Sequence, residues 1–595
     1  MVNIKAENEI PEMQQQIIEK LKKILTDLYS ESGIDLNEKE IRLQENKNKE
    51  HGDYASNIAM VIAKDLSEDP KIVAKRISNN FPIDDQIIKV EVAGPGFINF
   101  FIAASTHGEI LNLIDSKKAS YGRSDDSMGK VLIEYVSSNP TGPLHVGHGR
   151  GAVFGSVLAK LLTVVGYEVD EEYYVNDYGR QMNILAVSVW VRYLQISHKD
   201  LAMTPKGYQG DYVKSIAKDL KKEEKEKYLL NENNHKKIIK ILSKQEEESD
   251  IDLLISFMRE VLNKGSLEIR SFSLDKMLKI IKSDLKSFGV EHNLWFFESS
   301  LYKEQKTKKS DTDEAISVLQ SEGFVYEEEG AMWFKSSDFR DDKDRVLKRS
   351  NGEHTYFSSD VAYHYDKYKR SYDRIINVWG SDHHGYLPRV NAAMKAIGMD
   401  VNKLEVVFIQ FVNLLRNGEK IPMSTRSGEF ITLKELVDEV TAEAARFFYI
   451  NRKSDQHLDF DLSLAKEQSK DNPLYYVQYA HARICSVFKK HESVSKDIPT
   501  NPDTSLLTSE KEIEIQKLLA TYPAVLERAA KLSEPHLICY YLKDLATLFH
   551  SYYNNEKFLI EDEKLMSARI FLLKGIKQVI FNGLEILGIN SPEQM

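Results

Sequence analysis

Residues 131–175 constrain the fold more than any other stretch of the chain. The apolar run Val131, Leu132, Ile133 reads as a buried strand, and a loop carrying Pro140, Gly142 and Pro143 follows it. From Gly147 to Val165 small residues give way to Leu158, Leu161, Leu162 and Val165, the pattern of a helix. Tyr173, Tyr174 and Val175 then suggest a second strand. Strand, crossover helix and strand make a βαβ unit, which implies a parallel sheet. Ligands in such sheets lie at the carboxyl ends of the strands. The segment 134–150, EYVSSNPTGPLHVGHGR, occupies that place.

That segment carries phosphate chemistry. The first N–H groups of a helix are unpaired and favour an anion. His145 and His148 are three apart and share a face near the helix start. Gly147 permits close approach of the backbone to a nucleotide. Two imidazole donors aimed at a phosphate would stabilise charge developing in a transition state.

The remainder reads as several domains, because 595 residues exceed what one hydrophobic core holds. In a first module, residues 1–115, Ile17, Ile18, Leu21, Ile24, Leu25 and Leu28 line one helical face. Strands are expected at 86–92 and 97–102 around the turn Gly94-Pro95-Gly96. Residues 115–129 are polar and read as a linker. Strands return at 374–379 and 404–410, with helices at 388–398 and 433–449. From about 460 helices dominate, at 473–489, 509–531, 534–554 and 564–586.

Lys plus Arg is 80 and Asp plus Glu is 91, a net charge of -11. A basic coat is therefore absent, while a local basic groove stays open. Cys485 and Cys539 build neither a disulfide framework nor a zinc cluster, so a reducing, cytoplasmic compartment and no structural zinc are expected. The N-terminal stretch has no apolar core of a signal peptide. No run of 18 apolar residues occurs, so no membrane association is expected.

His145-Val-Gly-His148 resembles the first signature of the class I aminoacyl-tRNA synthetases. With Glu134, Ser138, Asn139 and Pro140 ahead of it, the longer string closely resembles the arginyl family. A second signature resembles residues 418–429, GEKIPMSTRSGE, where Met423, Ser424, Thr425 and Arg426 match a loop that closes on ATP. Pro422 and Thr425 stand where the family's usual lysines are, which leaves Arg426, or Lys420, to meet the leaving pyrophosphate. A third string, WGSDHHGYLPR at 379–389, is similar to a family segment that lines the ATP pocket. It implies roles for Gly380, Asp382 and His383 beside Gly147, Met423 and Ser424. A metal pair at His383 and His384 is the alternative. A fourth, TYFSSDVAYHYDKYKR at 355–370, matches the segment whose Tyr and Asp hold the substrate side chain, here Tyr356 and Asp360. A carboxylate meets a guanidinium with two parallel bonds and an aromatic ring stacks on it. Glu134, Ser138 and Asn139 are implied to face the amino acid too. Which of Glu134 and Asp360 takes the guanidinium stays open.

The ends fit the same resemblance. HGDYASN at 51–57 and VAGPGFINFF at 92–101 resemble the family's N-terminal domain, used against the tRNA elbow. NPLYYVQYAHARIC at 472–485 resembles the start of its helical anticodon-binding domain, which makes Tyr479, Arg483 and Tyr552 candidates for tRNA contact. The Lys- and Glu-rich stretch 211–250 reads as solvated inserted helices, with tRNA contact as the alternative. The expected fold class is α/β: a Rossmann-like parallel-sheet catalytic core with insertions (116–459), a small α+β N-terminal domain (1–115) and an all-α C-terminal domain (460–595). The resemblance implies ligation of L-arginine to tRNA(Arg) through an arginyl-adenylate, with ATP and Mg2+ and a monomeric chain. The competing readings are a tRNA-binding paralogue without activity, a small-acid nucleotidyltransferase, and a synthetase for another amino acid.

Overall fold

A five-stranded, wholly parallel sheet forms the centre of the molecule. Its strands are β1 (Gly129–Glu134), β2 (Tyr167–Val175), β3 (Leu294–Phe297), β4 (Arg374–Gly380) and β5 (Leu404–Ile409), in the order β5-β4-β1-β2-β3. The computed structural model describes residues 12–30, 41–46, 51–84, 86–102, 104–243, 249–303, 309–422, 431–493 and 500–595. Strand β1 is buried from Val131 to Glu134 and paired on both edges, with Ile133 opposite Ile376 on one side and Glu171 on the other. A continuous apolar run suits a strand covered on both faces. The chain leaves β1 toward β2 on one side and later adds β4 on the other. The carboxyl ends of β1 and β4 therefore flank a topological switch point.

Helix α1 (Val146–Val164) joins β1 to β2 and is buried on nearly every side, as an all-round apolar helix must be. A Cβ on Gly155 would stand 2.1 Å from the Tyr135 ring, so glycine here lets α1 press directly on the loop after β1. Helix α2 (Arg180–Ser197) follows β2 and begins the large insertion. The stretch expected as solvated helices has a hydrophobic core of its own. Val213, Ile216, Leu220, Ile238 and Leu254 pack against Trp190 and Leu194 of α2. Tyr212, at the start of this insertion, donates to the Thr141 carbonyl at 2.7 Å and so touches the loop after β1.

Two expected helices are divided. The segment 433–449 forms Leu433–Val440 and Ala442–Ile450, separated at Thr441, whose φ of 79° ends the first helix while its hydroxyl caps the second. The segment 509–531 divides at Thr521, with Pro523 near the start of the second piece. The polar linker also hides a packing residue. Tyr121 is buried and donates to the Leu519 carbonyl at 2.8 Å. The preceding helix, Ala104–Lys117, packs Leu111 and Ile114 into the core shared with the C-terminal helices. The separate core of the N-terminal module spans Ile17 to Ile102.

The parallel sheet and the C-terminal helices share one continuous core. Arg446 is its polar tie. It lies on Ala442–Ile450, is 1% exposed, and donates to the carbonyls of Leu587 (2.9 Å), Phe288 (3.0 Å) and Gly289 (3.1 Å) and to Ser156 Oγ (3.2 Å). Burial pushes its guanidinium down to about 10, still charged at neutral pH. Arg446→Met would leave three buried carbonyls unpaired, and we expect a loss of about 3 kcal/mol or more of stability. Thermal unfolding checks this, and an unchanged midpoint would show that the tie is inert.

Candidate active site

The loop after β1 is held in a strained conformation. Val136 (φ 68°) and Ser137 (φ 41°) both lie in the left-handed region, which costs about 1–3 kcal/mol per residue and persists only when neighbours enforce it. The neighbours are on hand. Ser137 Oγ donates to Glu134 Oε1 at 2.8 Å and accepts from the Tyr174 N–H at 3.1 Å. Ser138 Oγ is 2.8 Å from the Tyr173 hydroxyl, which itself donates to the Ser138 carbonyl at 2.9 Å.

The strain delivers the chain to α1 with His145 as N-cap and His148 three residues on. The Gly147 N–H donates to His145 Nδ1 at 3.1 Å, and the His145 N–H donates to His148 Nδ1 at 3.2 Å. This reciprocal cap assigns the tautomers. Both Nδ1 atoms accept, so on a neutral ring the hydrogen sits on Nε2. The rings stack with centroids 3.6 Å apart. Burial lowers both imidazoles, His148 to about 3 with His145 as a second cause, so the pair is neutral at pH 7. Gly147 lies in the same first turn, whose leading N–H groups are taken by the Ile431 carbonyl and by His145, so the anion meets the positive end of the helix dipole and the imidazoles.

The second signature is tied to the first. Residues 144–146 pair with 431–433: the Val146 N–H donates to the Ile431 carbonyl at 3.1 Å and the Leu433 N–H to the Leu144 carbonyl at 2.8 Å. The segment Met423, Ser424, Thr425, Arg426 lies outside the described residues, but the chain resumes directly against His145.

The end of β4 supplies Gly380, followed by a short turn with Asp382 and His383, both exposed. His383 Nε2 is 3.6 Å from Asp382 Oδ2. His384 turns away and stacks on Phe408 at 3.6 Å, so the two histidines point to different surroundings and the metal-pair alternative loses its geometry.

A cluster of carboxylates gathers at the ends of β1 and β2 and on helix Tyr356–Lys369. Glu134 is 6% exposed and accepts from Lys367 Nζ at 2.6 Å; Lys367 also donates to Asn377 at 2.7 Å. Tyr356 opens that helix at 65% exposure, and Asp360 follows one turn later, bonded by the Tyr386 hydroxyl. Burial, reinforced by Glu134, pushes the Asp360 carboxyl up to about 7. Glu298 is 2% exposed and is raised to about 7 by burial and by Asp360. Asp177 also lies here, accepting from the Ser299 N–H at 2.8 Å. Glu298, Asp177, Tyr386 and Lys367 escaped sequence reasoning. Only the position of Glu298, directly after the strand-like run LWFF, offered a signal. Asn139 is exposed at the mouth, and Ser138 is buried beneath it. Lys367 is bonded to Glu134. Arg270 donates to the Asp177 carbonyl, while Glu134 raises Asp360 and Asp360 raises Glu298, and perturbed carboxyls of this kind mark a candidate site.

In the helical domain, Arg483 stacks over Tyr479 (4.4 Å) and Tyr553 (4.7 Å) on a part-exposed face. Tyr552 corrects the expectation. It is fully buried, its hydroxyl on Glu512 Oε1 at 2.8 Å, and it faces the core because its neighbour Tyr553 holds the outer side of the helix.

With this geometry described, three family profiles match the chain. Arginyl tRNA synthetase N terminal domain matches residues 12–102, tRNA synthetases class I (R), catalytic domain, matches 109–461, and DALR anticodon binding domain matches 477–595. The chain belongs to the arginyl-tRNA synthetase family. It is 46% identical to the arginine–tRNA ligase of Halorhodospira halophila, over 94% of this chain and 96% of that one. It is also 46% identical to that of Legionella pneumophila, over 97% and 98%. The solved Thermus thermophilus arginyl-tRNA synthetase matches in fold with a TM-score of 0.69 at 20% identity, covering 98% of this chain and 100% of that chain. A synthetase catalytic domain of this class uses ATP with Mg2+. Among the described residues no helix is long and apolar enough to cross a membrane.

Proposed function

We propose a division of labour within the arginyl-tRNA synthetase site. The chain is an arginine–tRNA ligase: it attaches arginine to tRNA(Arg) at the expense of ATP. The arginine carboxylate attacks the α-phosphate, giving arginyl-adenylate and pyrophosphate, and the terminal adenosine of tRNA then takes the arginyl group. The imidazoles of His145 and His148, at the positive end of the α1 dipole, meet the transferring phosphate through Nε2–H. Gly380, Asp382 and His383 hold the nucleotide, with Asp382 on ribose hydroxyls. Met423, Ser424 and Arg426 cover its phosphates, and Mg2+ travels with the nucleotide. Asp360, with Tyr356 stacked beside it, takes the guanidinium, and Glu134 with Ser138 and Asn139 takes the amino-acid end. The observation that supports this reading is the Lys367–Glu134 bond: Glu134 already has its cation, whereas the Asp360 carboxyl is bonded by the Tyr386 hydroxyl and feels Lys367 less than it feels Glu134.

Residues 1–115 serve the tRNA elbow and residues 460–595 the anticodon, with Tyr479 and Arg483 as the surviving contacts. Monomeric, cytoplasmic operation belongs to the same reading. Exchange of pyrophosphate into ATP with arginine, with and without tRNA(Arg), tests the whole. Exchange supported equally by lysine would overturn the pocket assignment.

The pocket predicts a pH dependence. Burial, with Glu134, pushes the Asp360 carboxyl up to about 7, among Lys367, Tyr386 and Glu298. A bound guanidinium favours the ionised carboxylate. Arginine affinity should therefore fall as pH drops below about 7, with a proton released on binding, and level off above it. Calorimetry in buffers of different ionisation enthalpy reads that proton directly.

A further inference from the structure

The insertion holds a second group of ligating side chains, remote from the phosphate chemistry of the switch point. His198 closes α2 in extended backbone, with φ −125° and ψ 94°. Asp200 follows two residues later. His235 lies in the first turns of α3 (Glu232–Leu242), across the chain reversal. The two imidazole rings have centroids 4.3 Å apart. His235 Nε2 stands 2.8 Å from Asp200 Oδ2. One ligand atom from each of the three residues lies within 4.8 Å of the other two. His235 Nδ1 is buried with no hydrogen-bond partner.

We propose that His198, Asp200 and His235 bind a divalent transition ion of the Zn2+ type and thereby pin α3 to the end of α2. Two imidazoles and a carboxylate match the donor preference of that ion, and thiolates are not required. The shortage of cysteine, which excludes a thiolate cluster, has no bearing on such a site. Calcium and magnesium prefer shells of oxygen and are poorly served by it. Zinc bonds of about 2.0–2.2 Å bring ligand atoms to roughly 3.3 Å from one another in a tetrahedron. The outer separation must close by about 1.5 Å, and the 2.8 Å contact of His235 Nε2 with Asp200 Oδ2 must open by about 0.5 Å. His198 and Asp200 can follow, since both lie in the segment that leaves α2. Asp200 is exposed, so the fourth position opens to water.

The consequence is local order. Helix α3 buries only Ile238 and Leu242, a slight apolar anchor. The segments that a metal would join are 35 residues apart at Asp200 and His235. Closing a loop of that size through a bound ion removes freedom from the open state, as a cross-link does.

The full-length chain, stripped with a chelator, is titrated with ZnCl2 and separately with CoCl2. Two variants are compared with it: the double variant His198→Ala/His235→Ala, and Asp200→Asn. All chains keep His145, His148, His383 and His384, so binding there cancels. Unchanged arginylation by the variants confirms their folding. The expected result is one more ion per chain in the wild type, cobalt absorption bands that the double variant loses, and slower amide exchange across 232–242 only in the metal-loaded wild type. Asp200→Asn should bind more weakly than the wild type. Equal metal uptake by the wild type and the double variant overturns the proposal, and so does uptake that leaves the exchange of α3 unchanged. The His235–Asp200 contact would then be an ion pair and nothing more.

Discussion

His148→Ala should slow arginine-dependent ATP–pyrophosphate exchange by about 10²–10³, the usual cost of removing one donor aimed at developing charge. The geometry gives the reason. The His148 ring is fixed by the His145 N–H on Nδ1 and by stacking at 3.6 Å, so its Nε2–H is oriented before substrate arrives. The ring is neutral, with its basicity pushed down to about 3, so it donates one hydrogen bond and contributes no full charge. The rate profile should then show no titration of this residue between pH 5 and 9. His148→Asn is the informative companion. It retains a donor amide, and partial recovery of rate would separate donation from capping of the helix. Exchange at the wild-type rate in His148→Ala, measured with tRNA present, would remove His148 from the chemistry.

Asp360→Asn should weaken arginine far more than ATP. Removing the charge from a buried pair costs about 2–5 kcal/mol, or roughly thirty- to several-thousand-fold in the KM for arginine. The KM for ATP should move by less than about threefold, because nucleotide and guanidinium occupy opposite ends of the amino acid. The same change should flatten the pH dependence of arginine affinity around 7, since the titrating carboxyl is gone. Equal loss of both substrates would place Asp360 outside the guanidinium site and return that role to Glu134 or Glu298.

The parallel sheet and its switch point were legible in the sequence because strand β1 is a buried apolar run and the loop after it concentrates glycine, proline and histidine. Helix breaks were harder to read. Thr441 and Thr521 look like ordinary helical residues, and only a left-handed backbone at one and a following Pro523 at the other divide the segments. The pocket acids split in the same way. Asp360 belongs to a recognisable string, but Glu298 and Asp177 gain their meaning from burial beside it, which no spacing along the chain encodes. Tyr552 and Tyr553 are separable by periodicity. Tyr552 continues the buried row Leu542, Leu545 and Phe549 at helical spacing, which marks it as the inward one of the pair, and its hydroxyl finds Glu512. The tautomer of the histidine pair required the two cap bonds to be seen.

Arg446 has a consequence for the order in which the molecule can be made. The carbonyl of Leu587, which it holds, is supplied by the helix Glu563–Leu587 and lies 141 residues further along the chain. A nascent chain that has completed the sheet, the histidine turn and the carboxylate pocket still carries a buried guanidinium with part of its shell missing. It also carries an apolar face on α1 awaiting that helix. On the ribosome the core that the sheet shares with the C-terminal helices thus stays open until that helix emerges, and half-made chains are the ones most exposed to aggregation.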